Sequence, residues 1–267
     1  MSFLQNFAIG QYVPGHSFVH RLDPRSKLLF LIFFAMVVFL ANNGWTYGLL
    51  LGFMFLVILA SRVQLSYLLR GLRPVWLLIV FTVILHLFIT KGGTVYLQWG
   101  WFTVEEAGVR QAIYMTFRLG LLVTMGAMLT LTTTPMDLTD GLERLMSPLK
   151  RLGVPVHELA LMLSIALRFI PTLLEETDKI MKAQKARGVD FETGSLMKRA
   201  KHMIPIVIPL FISAFRRAEE LALAMEARGY RGGEGRTRLR QLRMTWRDAL
   251  LAGIAILLVA WLGWWRA

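Results

Sequence analysis

Two arginines stand in matching triplets, Ala186-Arg187-Gly188 and Ala227-Arg228-Gly229. Each triplet ends a long stretch of helix-favouring residues, and a glycine directly after the last helical residue accepts the left-handed conformation that stops a helix. Arginine presents a planar, permanently charged fork that can bond carboxylate or carbonyl oxygens in pairs. The two triplets therefore predict a pair of docking points for partners outside the chain. The alternative is two ordinary helix ends with a favourable terminal cation.

Residue clusters that could support catalysis are incomplete. The pairs Glu175-Glu176 and Glu219-Glu220 suggest an intramembrane protease, but Ile180 and Ala224 stand where its arginine is expected. The pair His157-Glu158 lacks the second histidine of a zinc protease, and no glycine-rich loop ends in Gly-Lys-Ser/Thr. We therefore predict no catalytic residue, no metal site and no cofactor bound by this chain.

The apolar residues lie in five blocks rather than spread along the chain. The chain has 267 residues, is 55% hydrophobic and contains no cysteine. Blocks of about 17–25 apolar residues suit a hydrocarbon layer about 30 Å thick. They predict an all-α integral membrane protein with about five transmembrane helices. The predicted spans are 28–41, 45–60, 75–89 and 112–131, within an N-terminal membrane region 1–131, and 249–267 at the end.

The net charge is +13, and the basic residues are distributed unevenly on the two sides of the predicted spans. If all five blocks cross, 26 of the 30 lysines and arginines share one side with the amino terminus. Basic loops favour the cytoplasmic face, so we expect the amino terminus inside and the carboxyl terminus outside. Contact with anionic lipid headgroups accounts for the positive charge, and we expect no binding to nucleic acid.

The region 132–248 is too long for a connecting loop and too apolar for a disordered segment. A short amphipathic helix is predicted from Thr134-Pro135 to Leu152-Gly153. Two long helices follow, from Pro155 to Arg187 and from Ser195 to Arg228, and both become strongly charged towards their ends. Prolines 171, 205 and 209 lie inside these helices and should bend them. We predict that this region is cytoplasmic.

Local patterns predict four further features. Asp23 followed by Pro24 fits the start of the first span. Alternation at Val95, Leu97 and Trp99 suggests a short hairpin in the outer loop. Arg118, inside the fourth block, should reach the outer interface or pair with Glu105 or Glu106. The arginine-rich run 231–243 should contact lipid headgroups or a partner's rim, or act as a solvated anchor.

Several segments together resemble the transmembrane T component of energy-coupling factor (ECF) vitamin transporters, close to the type shared by several substrate-binding partners. The segments are GQYVPGHS at 10–17, HRLDPRSK at 20–27, RFIP at 168–171, AQKARG at 183–188 and ARGY at 227–230. They span most of the chain. A single Ala-Arg-Gly triplet would not be specific.

The resemblance implies a scaffold in the cell membrane of a prokaryote with two kinds of partner. Two ATPase subunits of the ATP-binding-cassette (ABC) type would receive the arginine-tipped helix ends, and ATP and Mg²⁺ would bind to them alone. A small membrane S component would capture a vitamin and pack on the long helices. Small residues and prolines that could shape this contact are Ala160, Ser164, Pro171, Pro205, Pro209 and Ser213.

Two other classes of function are alternatives. One is the membrane subunit of a different ATP-driven transporter, which six spans and a substrate cavity would favour. The other is a membrane-embedded enzyme, which would need clustered acids, histidines or a metal motif near a span. The resemblance places substrate choice on another polypeptide, so the sequence does not identify the vitamin.

Overall fold

The computed structural model describes residues 12–99, 102–191, 195–232 and 242–266. The chain divides into two compact units. Of the described residues, the larger unit contains those from 12 to 145 and from 242 to 266, and the smaller unit contains those from 146 to 232. The first two residues of the segment 10–17 and residues 233–241 of the arginine-rich run lie outside the described residues.

The larger unit begins with two helices whose starts follow from their capping residues. Helix α1 is Pro24–Leu40, and the Asp23 carboxylate accepts a 2.9 Å hydrogen bond from the Arg25 backbone. This confirms the predicted start of the first span. Helix α2 is Gly44–Ser61, and Asn43 stands at its amino end.

The third and fourth helices begin earlier than the apolar blocks indicate. Helix α3 is Leu65–Ile89 and contains Arg70, Arg73 and Pro74 in its first half. Helix α4 is Glu106–Thr132. Hydropathy marks where apolar residues begin, whereas a helix continues as long as its backbone hydrogen bonds do. The starts of both helices, which carry charged residues such as Arg70 and Glu106, were therefore missed.

The loop between α3 and α4 contains the predicted hairpin. Strands β1, Val95–Trp99, and β2, Phe102–Glu105, pair antiparallel. Helix α5, Pro135–Met146, follows α4 in the chain. Helix α8, Trp246–Arg266, is the last helix of the larger unit. The sequence assigned 132–248 to one region, whereas the structure groups α5 with the larger unit.

The core of the larger unit lies where α1, α2 and α4 meet, with α8 beside α1. Phe34 and Leu50 are fully buried there, together with Leu121 from α4. Helix α3 packs on α4 and leaves most of its apolar side chains exposed. Exposed apolar side chains of this extent suit a helix surrounded by lipid.

Arg118 lies in α4, as predicted, but it contacts neither glutamate. Its guanidinium donates a hydrogen bond to the Ala41 carbonyl at 3.4 Å and lies over the Phe39 ring. Glu105 accepts instead from the Gly92 backbone, and the Glu106 carboxylate from the Thr94 hydroxyl. Of the two predicted alternatives, pairing with a glutamate is wrong, because Gly92 and Thr94, between α3 and β1, donate to these two carboxylates.

The smaller unit contains two long helices, preceded by a 3-10 helix at Ser147–Leu152. Helix α6 is Val156–Ala186 and helix α7 is Leu196–Ala227, close to the predicted bounds. Both continue through their internal prolines as single helices.

Four helices among the described residues are long and apolar enough to cross a membrane, namely α2, α3, α4 and α6. Three of them coincide with predicted spans. Helix α6 lies in the region that the sequence assigned to the cytoplasm. Helix α1, with 17 residues, and helix α8 are not among the four, and their crossing stays a prediction.

Candidate functional site

The end of α6 is capped by two backbone hydrogen bonds. Arg187 is the last residue with near-helical backbone angles, and Gly188 has a φ of +85°. The Gly188 amide donates to the Lys185 carbonyl at 3.0 Å, and the Val189 amide to Gln184 at 3.1 Å. These are the two bonds of a Schellman motif. They fix the backbone that carries the arginine.

The end of α7 repeats this arrangement. Arg228 has φ −87°, and Gly229 has φ +72°. The Gly229 amide donates to Glu226 at 2.8 Å, and the Tyr230 amide to Met225 at 3.0 Å. The left-handed glycines predicted from the two triplets are confirmed, and the two ends share one backbone geometry.

Both triplets are exposed along their whole length. Neither Arg187 nor Arg228 makes an ion pair or side-chain hydrogen bond with any residue that the structure describes. A cation left free at a well-ordered helix end can bind a partner without first breaking an internal bond. The geometry suits docking. That such docking occurs stays a prediction.

The two arginines lie far apart. Asp190, just after the first triplet, accepts a hydrogen bond from His202 near the start of α7. Arg217 donates to Glu176 at 3.0 Å, so α6 and α7 contact each other in opposite directions. Arg228 is 26 residues beyond His202, which is roughly 40 Å of helix at 1.5 Å per residue. One binding pocket could not hold both tips.

One glutamate of the pair Glu175-Glu176 forms an ion pair. Glu176, in α6, bonds Arg217 of the neighbouring helix α7 at 3.0 Å. Within the described residues no cluster of three or more metal-ligating side chains occurs. The pair therefore connects two helices.

Helix α7 carries an apolar stripe that sequence reasoning did not identify as a face. Its side chains follow helical spacing and are 41% to 72% exposed. They are Ile204, Val207, Ile208, Phe211, Ile212 and Phe215. Their exposure in the isolated chain leaves the stripe available to a partner or to lipid. The spacing of three and four residues was the signal that could have revealed it.

The residues proposed for the S component occupy different environments. Pro171 and Pro209 are exposed, and Ala160 and Pro205 are half-buried. Ser213 accepts a hydrogen bond at 3.4 Å from Arg217, the α7 residue that pairs with Glu176 of α6, so it lies next to the contact between these helices. Ser164 lines a groove beside the end of α7.

The segment before α1 forms a polar cluster that sequence reasoning left without a role. The Asp248 carboxylate, at the start of α8, accepts a 2.9 Å bond from the Asp23 backbone. Lys27 donates to the Thr132 carbonyl and to the Thr133 hydroxyl at 3.0 and 2.9 Å. The cluster therefore joins the starts of α1 and α8 to the end of α4.

Comparison with known proteins agrees with this architecture. Residues 15–239 match the family model CbiQ, described as cobalt transport protein. The chain is 68% identical to a Brevibacillus brevis protein over 98% of this chain and 99% of the relative. It is 53% identical to a Bacillus subtilis protein over 99% and 100%. Both relatives are named energy-coupling factor transporter transmembrane protein EcfT.

The chain belongs to the EcfT family. A relative from Acidaminococcus fermentans carries the same name and is 52% identical over 98% of both chains. The protein is thus the transmembrane component of a bacterial ECF transporter and works in a complex with other subunits. The resemblance drawn from the sequence motifs is confirmed. So is the prediction of an all-α membrane protein.

Proposed function

We propose that this chain is the energy-coupling subunit of its transporter and has no catalytic activity of its own. Two ABC-type ATPases bind the exposed ends of α6 and α7, and a vitamin-binding S component packs on the same two helices. The ATPases hydrolyse ATP, and the helices transmit their movement. The S component then reorients and releases its vitamin inwards.

The observation that carries the proposal is the repeated helix end. Two free arginines stand on identical Schellman caps, roughly 40 Å of helix apart. Equivalent ends suit equivalent grooves on two related ATPase subunits. Because the tips are separated, each subunit can hold one of them. Movement of the subunits relative to each other then displaces both α6 and α7.

The apolar stripe of α7 supports the second contact. A row of exposed isoleucine and phenylalanine side chains would bury well against a membrane helix. The stripe and the arginine tip belong to one helix, which links the two proposed binding events mechanically. Coupling also requires that the ATP-bound and empty ATPases bind the tips with different affinities. Equal affinities would not shift the equilibrium between the two states.

Removal of the arginines tests the proposal. We expect Arg187→Ala and Arg228→Ala each to weaken ATPase binding and vitamin uptake while membrane insertion continues. Losing one partner of a desolvated ionic contact typically costs about 2–5 kcal/mol. Co-purification of tagged subunits and uptake of labelled vitamin are the measurements.

The matched control is Arg199→Ala, which removes an exposed arginine from the first turns of α7 and should leave both measurements unchanged. Normal uptake and normal co-purification in the double variant Arg187→Ala/Arg228→Ala would refute the proposal.

A further inference from the structure

The end of α7 faces a groove between the two helices. The groove has a volume of about 620 Å³. Three arginines line it, namely Arg168 of α6, Arg228 at the helix end and Arg231 just beyond. Phe169, Met225 and Tyr230 contribute to the same walls.

The charge in this groove is unbalanced. No carboxylate is among its described lining residues. None of the three arginines forms an ion pair with a residue that the structure describes. Like charges gathered around one cavity repel each other, and a bound anion would relieve that repulsion.

We propose that this groove binds an acidic segment of one ATPase subunit and that Arg168 is a further docking residue. The inference rests on the proposed function, because it extends the Arg228 contact to a second helix. A carboxylate of the partner would lie between the guanidinium groups of Arg168 and Arg228. An apolar part of the same segment would pack against Phe169 and Met225.

Two features favour a protein segment over the headgroup of an anionic lipid. The three arginines come from α6, from the end of α7 and from the chain after it, so the positive charge does not lie along one helix face. The groove also adjoins the exposed Ala-Arg-Gly end, so one partner can contact both.

The two ends therefore share one backbone cap but differ in their surroundings. Among the described residues, the α6 end offers Arg187 on an exposed cap, whereas three arginines line the groove beside the α7 end. Binding at the α7 end should depend more steeply on salt, since more charges are neutralised there. The ATPase with the more acidic docking segment should occupy this end.

The experiment measures ATPase affinity for the chain held in nanodiscs of neutral phospholipid. Arg168→Ala should weaken binding by about 30-fold or more, the loss expected for truncating one partner of a desolvated charge pair. Arg168→Lys should recover only part of the affinity because lysine lacks the fork. Arg199→Ala, outside the groove, should bind as the unsubstituted chain does. Retained co-purification of the S component shows that each variant is folded.

Each other outcome overturns a specific statement. If Arg228→Ala weakens binding and Arg168→Ala does not, the groove is not a docking site and the proposed function stands. If Arg228→Ala also binds normally, the proposed function fails at this end. If the Arg168→Ala defect appears only in nanodiscs with an added anionic phospholipid, the occupant is a lipid headgroup and the inference is wrong.

Discussion

The arginine tips are positioned by backbone conformation rather than by side-chain packing. A Cβ atom added to Gly188 or Gly229 would meet nothing within 4 Å. Only the positive φ requires glycine at these positions, and a left-handed L-residue costs about 1–2 kcal/mol. The cap therefore depends on one backbone angle and not on neighbouring side chains. For this reason the same short triplet can end two different helices.

Lys27 lies in a buried polar cluster that changes its pKa. It is 5% exposed and carries its charge among Asp23, Asp137 and Asp248. Burial lowers the pKa of Lys27 from 10.5 to about 8, although the three aspartates oppose that change. Burial also acts to raise the pKa of Asp248, but hydrogen bonds from the Thr245 and Asp23 backbones hold it below its ordinary value.

The lowered pKa predicts a pH effect of definite sign. Between pH 8 and pH 10.5 the unfolded chain keeps the Lys27 proton and the folded chain loses it. The free energy of unfolding from this group therefore rises with pH, by up to about 3 kcal/mol. We expect the stability difference between the unsubstituted chain and Lys27→Met to move in favour of lysine over this range. Denaturation in detergent at stepped pH measures it, and a constant difference would contradict the assignment.

At the scale of elements, α7 carries two contacts that can be separated. Its arginine end faces one proposed partner, and its apolar stripe faces another. The pair Glu176–Arg217 holds α7 against α6, with both side chains partly exposed. A pair of this exposure contributes about 0.2–1 kcal/mol, so it sets direction more than stability.

The stripe predicts a selective defect. Phe211→Asp should reduce co-purification of the S component, because a carboxylate would be buried in the apolar contact. ATPase binding should persist, since the caps at either end of the helices are untouched. The control Glu219→Asp leaves the charge of an exposed α7 position unchanged. If the variant Phe211→Asp binds neither the S component nor the ATPases, the helix has misfolded. Loss of neither would show that the stripe faces lipid.

At the scale of the whole molecule, the proposal requires both tips on the cytoplasmic side. Helix α6 is long and apolar enough to cross a membrane, so length and composition alone permit another arrangement. The chain contains no cysteine, so one introduced thiol reports one position.

Thiol labelling of single-cysteine variants decides the sidedness. Ala183→Cys and Glu226→Cys, both at exposed positions near the tips, should react with a membrane-impermeant reagent only after cells are opened. Lys91→Cys, in the predicted outer loop, should react in intact cells and serves as the control. Reaction of either tip variant in intact cells would remove the basis of the proposed function.

Local patterns were enough for helix ends and for the family. The Asp23-Pro24 start, both Ala-Arg-Gly ends and the outer hairpin were predicted because each depends on residues within a few positions of one another. The starts of α3 and α4 were missed because apolarity marks contact with lipid and not the extent of hydrogen bonding. Arg118 was given the wrong partner because the sequence does not show which nearby groups are already engaged.

The sequence by itself determined the all-α membrane class, the capped ends and the two tip arginines, since capping and hydropathy act over short stretches of chain. Only the tertiary structure decided that Arg168 shares a groove with Arg228, that Glu176 bonds Arg217, and that Lys27 reaches the end of α4. These contacts join residues from 41 to 105 positions apart. Which distant side chains meet is set by how helices pack, and packing depends on the whole surface of each helix.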